Sequence, residues 1–102
     1  MINCVSKGRR NELRCRKQLE AEGWKCEQPR RTKWNPIDFY GLYDILAYKD
    51  GMWLLIQVKS NYCPKEVREA IRAFKVDGVV VRKQIWVFKD YSKHNPWIED
   101  IP

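Results

Sequence analysis

Two apolar runs, Leu42–Tyr48 and Met52–Lys59, are rich in Ile, Leu, Val, Trp and Tyr and flank the pair Asp50-Gly51. They predict a β-hairpin closed by a two-residue turn. Upstream, residues 7–22 read as a helix. Cys15 and Leu19 share a face, Ser6 stands where an N-cap belongs, and Gly23 is placed to end the helix. "WKCEQP" predicts a short strand stopped by Pro29, followed by the basic, aromatic-bearing loop "RRTKWNPIDFYG". Pro64–Lys75 carries Val67, Ile71 and Phe74 at helical spacing behind a proline suited to a first helical turn. Gln84–Phe88 is a further strand, and the pattern is compatible with a short tail strand around Trp97–Ile101. The order is α-β-β-β-α-β in a chain of one-domain length, residues 1–102.

The hairpin strands hold polar residues in their interiors: Asp44 in the first, Gln57 and Lys59 in the second. With a two-residue turn, Lys49 pairs with Met52, and counting back along both strands sets Asp44 opposite Gln57. Lys59, two residues on, projects from the same face as Gln57. The expectation is one polar patch. Burying three such groups is costly unless they satisfy one another or bind something. One solution is an Asp44–Lys59 ion pair with Gln57 as hydrogen-bond partner, an arrangement that contributes little net stability. The other is a site for a divalent cation and a phosphate, served by a hard carboxylate oxygen, an amide oxygen and an ammonium.

Charge and cysteine usage narrow the classes. The net charge is +7, and almost all of the basic excess lies in the first third of the chain. Such a surface suits a polyanion such as nucleic acid, or serves as a solvated helix face. The four cysteines are widely spaced without a CxxC pair, and the single histidine, His94, does not complete a usual zinc site with them. Free, mostly buried thiols are expected. No apolar run approaches a membrane span and no signal-peptide pattern is present, so a cytoplasmic protein is the expectation, nucleoid-associated or in a host cytoplasm.

An Asp, a hairpin and then an acid-x-Lys position on the next strand resembles the PD-(D/E)xK nucleases, and within them the archaeal-type Holliday junction resolvases. The likeness covers "KGRRNELRCRKQLEAEGW", "YDILAYKDGMWLLIQVKS" and, more loosely, the following helix. It implies a minimal restriction-endonuclease-like αβββαβ core with a mixed sheet flanked by helices. It also implies a Mg²⁺-dependent endonuclease, with Mn²⁺ as a substitute, acting on branched DNA as a homodimer. By the same resemblance Glu12 joins Asp44, Gln57 and the Val58 carbonyl around the metal, and Lys59 stands beside the attacking water. Glu12, Cys15 and Leu19 fall on one helix face, as this requires. Gln57 occupies the place of the family's usual acid. A catalytically lapsed nucleic-acid-binding module is the alternative.

Arg9 and Arg10, next to Glu12, are the first candidates for phosphate contact, followed by Arg30, Arg31 and Lys33 in the basic loop. Trp34 in that loop either stacks on an unpaired base or anchors the loop. Asp38 is a weaker alternative to Asp44, because it lacks the pairing with Gln57. His94 reads as a surface residue, and most of the Trp and Tyr residues as core or dimer interface.

Overall fold

The first helix, α1 (Cys4–Ala21), begins before the expected position, so Ser6 lies inside it and is not its N-cap. Its end is as expected. Gly23 has φ 94°, the Gly23 amide donates to the Glu20 carbonyl at 3.1 Å, and the Trp24 amide donates to that of Leu19 at 3.0 Å. That pair of bonds is a Schellman closure, and its left-handed residue costs a glycine little. The computed structural model describes residues 4–28, 42–75, 80–90 and 92–102. Arg30, Arg31, Lys33, Trp34 and Asp38 lie outside the described residues.

Five strands follow the order in sequence: β1 (Lys25–Glu27), β2 (Ile45–Lys49), β3 (Met52–Ser60), β4 (Val80–Phe88) and β5 (Trp97–Ile101), with α2 (Lys65–Ala73) between β3 and β4. The expected α/β order is therefore realised, with Trp97–Ile101 as a full fifth strand. The sheet is mixed. β1–β2, β2–β3 and β4–β5 are antiparallel, and β3–β4 is parallel across the α2 crossover. The hairpin turn has φ 51° at Asp50 and 78° at Gly51, the paired positive values of the turn that matches strand twist.

The helices cover opposite faces. Alternation along the strands sends Ile45, Ala47, Leu54, Ile56, Val58, Trp86 and Phe88 to a cluster with Cys15 and Leu19 of α1. Tyr43, Leu55 and Ile85 go to a second cluster with Ile71 of α2 and Ile101 of β5. β3 is buried on both faces, which explains its near-continuous apolar sequence. Cys15 and Cys26 are buried free thiols and Cys63 is a half-buried one, as the spacing led us to expect.

The described aromatic residues divide between core and surface. Trp86 and Tyr43 are core, but Tyr48, Trp53, Tyr62 and Trp97 are exposed. Among the described residues, no helix is long and apolar enough to cross a membrane.

Candidate functional site

The register of the hairpin is Lys49 with Met52 through Ile45 with Ile56, and there it stops. Asp44 does not pair directly with Gln57. Its amide donates to the Ile56 carbonyl at 2.8 Å, and its carboxylate Oδ2 accepts from the Val58 amide at 2.9 Å. A side-chain oxygen has taken the place of a backbone acceptor. The backbone bends at Asp44, whose amide bonds the carbonyl one residue short of the Gln57 partner that the extrapolated ladder predicts, and only its carboxylate reaches on to Val58.

This ending opens β3. From Gln57 onward it has no β2 neighbour, while it stays paired with β4 as far as Ser60–Phe88. Val58 faces the α1 cluster, so by alternation Gln57 and Lys59 lie on the α2 face, and the one-face polar patch expected from the sequence is not formed. Gln57 is 7% exposed, and its Nε2 sits 3.5 Å from the Val58 carbonyl, a weak contact. The Val58 backbone is thus held at its N–H by Asp44 and approached at its carbonyl by Gln57.

Glu12, 7% exposed on α1, belongs to the same region. The Cys15 thiol is pushed far up by burial first, and then by the negative charge of Cys26, Asp44 and Glu12. Both carboxylates therefore lie within electrostatic reach of one buried sulfur. Two acids gathered in a partly buried region repel one another, and a hard divalent cation relieves that repulsion. The donor set of Glu12, Asp44, the Gln57 amide and the Val58 carbonyl fits such an ion in kind. Among the described residues no three His, Cys, Asp or Glu side chains gather as a metal cluster.

Lys59 is half-buried and makes no hydrogen bond or ion pair with a described residue. The ion pair with Asp44 considered from the sequence is not formed. Instead the Lys59 charge acts on the Cys63 thiol, which burial pushes up while Arg68 and Lys59 pull it down. Glu12 and Asp44 thus both lie within electrostatic reach of Cys15, while Asp44 accepts from the Val58 amide and Gln57 approaches the Val58 carbonyl. Lys59 stands at the end of the same strand, toward α2.

Arg9 and Arg10 are exposed on α1, as a phosphate contact requires. Arg10 lines a cleft of about 270 Å³ with Asn11, Arg14, Phe88, Lys89, Asp90 and Asn95. The Arg14 guanidinium lies 4.7 Å from the centre of the Phe88 ring, which orients it there. His94 is exposed, as expected.

Several residues were not singled out by the sequence pattern. Asn11 is 5% exposed and donates from Nδ2 to Ser60 Oγ at 2.9 Å, joining α1 to the end of β3 beside Lys59. Asn61, with φ 71°, donates from Nδ2 to Asp90 Oδ2 at 3.2 Å and accepts from the Asp90 amide at 2.9 Å. Asn95 accepts from the Lys89 amide and donates to its carbonyl, both at 2.7 Å. Three asparagines thus fix the chain around the ends of β3 and β4. The only cue in sequence is the tolerance of Asn for turns and left-handed backbone.

No family model matches the chain, and no curated protein is significantly similar to it.

Proposed function

We propose that this chain is a metal-dependent endodeoxyribonuclease of PD-(D/E)xK type that hydrolyses DNA phosphodiester bonds, with a preference for branched DNA. The observation that carries this reading is the grouping around the Val58 peptide. It has a carboxylate on the N–H, an amide at the carbonyl, a second carboxylate nearby and an uncommitted lysine one residue on. A buried ion pair built for structure would have engaged Lys59.

Glu12, Asp44, Gln57 and the Val58 carbonyl would hold the ion. A bound Mg²⁺ or Mn²⁺ supplies Lewis-acid stabilisation of the phosphoryl oxygens and favours hydroxide at neutral pH. Asp44 is fixed by its bond to Val58, so its geometry is set before substrate arrives. Lys59 places its ammonium against a non-bridging phosphate oxygen and orients the attacking water. Arg9, Arg10 and Arg14 hold flanking phosphates, sequence-independent contacts that set register along the strand. A homodimer presents two such sites to opposing strands of a junction. The neutral Gln57 favours one second reading, a DNA-binding module without chemistry, because the site carries one negative charge fewer than the nucleases it resembles.

Cleavage assays on branched and linear DNA, with Mg²⁺, Mn²⁺ or chelator, separate the two. Metal-dependent nicking is expected, and Lys59→Met abolishes it while DNA binding and the circular dichroism spectrum are retained. Nicking by the variant at near wild-type rate removes Lys59 from the mechanism. Binding without nicking in any metal identifies the lapsed module.

A further inference from the structure

A second cleft, of about 430 Å³, opens on the other side of the strand ends. It begins at Asn61, directly after Lys59 and Ser60, and crosses to α2 and β5. Its walls include Tyr62, Cys63, Arg68, Lys89, Trp97 and Glu99. Lys89 also lines the basic cleft beside α1, so the two clefts meet at the C-terminal ends of β3 and β4.

Two features distinguish it from ordinary surface. Tyr62 is 70% exposed and Trp97 is 50% exposed. Large aromatic rings normally bury most of their area, and a pair left open in one concavity marks a binding surface. The cleft is also cationic. The Lys89 ammonium lies 4.4 Å from the centre of the Trp97 ring, and the charge of Lys59 reaches Cys63 in its wall. Arg68 spans Glu99 with two nitrogens at 2.9–3.2 Å, so the Glu99 carboxylate in this wall is already neutralised.

We infer that this cleft takes an unpaired nucleotide of single-stranded DNA, its base stacked on Tyr62 against the Trp97 wall and its phosphate at Lys89. The inference rests on the proposal that the chain acts on DNA, and it names the feature of the substrate that is recognised. A base in a duplex is stacked on its neighbours and cannot enter. A base at a junction, flap or gap is free to do so. The volume falls within the roughly 300–1,000 Å³ of ordinary ligand sites, enough for one nucleotide. Lys89 holds one face of Trp97, which fixes that ring as a wall and leaves Tyr62 as the open stacking platform. Lys89 is shared with the cleft that Arg10 and Arg14 line, whose wall also carries Asp90.

The test is binding of a fluorescently labelled dT oligonucleotide and of a blunt duplex to the whole chain in chelator, where no cleavage intervenes. Tyr62→Ala lowers affinity for dT roughly tenfold and changes duplex affinity by less than about twofold, since one base stack contributes about 1–3 kcal/mol. Trp97→Ala shows the same selectivity, and Tyr62→Phe restores dT binding because the ring face is kept. Tyr62 is too exposed for its loss to unfold the chain, so unchanged dT affinity in Tyr62→Ala overturns the inference. Equal losses on both probes do the same. A change in sedimentation without a change in dT binding also overturns it, and identifies the cleft as a contact between copies. Failure of the nuclease proposal is distinguishable. Intact dT discrimination in a protein that nicks nothing leaves the cleft standing, and Lys59-dependent nicking without dT discrimination removes the cleft alone.

Discussion

Gln57 differs from an acid by one charge at nearly constant shape, and the effect of that charge depends on what stands near it. Asp44 holds the Val58 amide next door, and Glu12 shares the electrostatic surroundings of Cys15 with Asp44. Gln57→Glu adds a third carboxylate to this region. Without metal the added charge repels the others, so the variant melts lower than the wild type and a carboxyl pKa rises. A carboxyl pKa raised on folding gives stability that is present below the unfolded value and lost as pH rises through the folded one. The deficit therefore grows from acidic toward neutral pH. Added Mg²⁺ reverses it by binding the folded state. A Mg²⁺ titration of melting temperature and nicking rate checks this: Gln57→Glu gains more stability from metal and reaches half-maximal rate at lower Mg²⁺. If metal changes neither measurement in the variant, Asp44 and Gln57 do not share an ion.

At the scale of elements, α2 shows how a short helix is ended from outside its own sequence. Lys83 of β4 is 7% exposed and donates from Nζ to the carbonyls of Ile71 at 2.8 Å, Phe74 at 2.9 Å and Arg72 at 3.3 Å. A cation at a helix C-terminus meets the negative end of the dipole and carbonyls that lack helical partners. Burial, with Lys75 and Arg72 nearby, pulls the Lys83 pKa down, opposing the three acceptors that favour its charged form. Lys83→Met keeps the aliphatic length and deletes the donor. It removes a buried charged donor to these carbonyls, of which Ile71 keeps the Phe74 amide, at a cost of about 2 kcal/mol. A fall in melting temperature of roughly 10 °C is expected for a chain of this size. Thermal denaturation followed by circular dichroism checks it, and an unchanged midpoint would mean that water replaces the ammonium freely.

At the scale of the molecule, the proposed DNA contact is tested through the charge distribution. Part of the basic excess of the N-terminal third lies on α1, where Arg9 and Arg10 are exposed and Glu12 is buried. Arg9→Ala combined with Arg10→Ala flattens the slope of log affinity against log salt by roughly one to two, about 0.9 for each duplex phosphate that is no longer neutralised. A slope unchanged within error moves the DNA to another face. This measurement is independent of the aromatic cleft, whose substitutions alter the preference between probes rather than the salt slope.

The sequence by itself determined the elements and much of their pairing, because these follow from local rules. Periodicity placed α1, β3 and α2, Gly23 ended α1, and Asp50-Gly51 fixed the hairpin register from Lys49–Met52 to Ile45–Ile56. Asp44, Gln57 and Lys59 were legible as polar residues inside apolar strands, and Glu12 only through the resemblance. The extrapolation failed at Asp44, since repeating a ladder cannot anticipate that a carboxylate will bond the Val58 amide and end it. Only the tertiary structure decided which polar groups meet. Lys83 capping α2, Asn11 holding Ser60 and the open aromatic pair Tyr62 and Trp97 join segments far apart in the chain. Their partners are set by the packing of helices on opposite faces of the sheet, a global condition that no window of sequence contains.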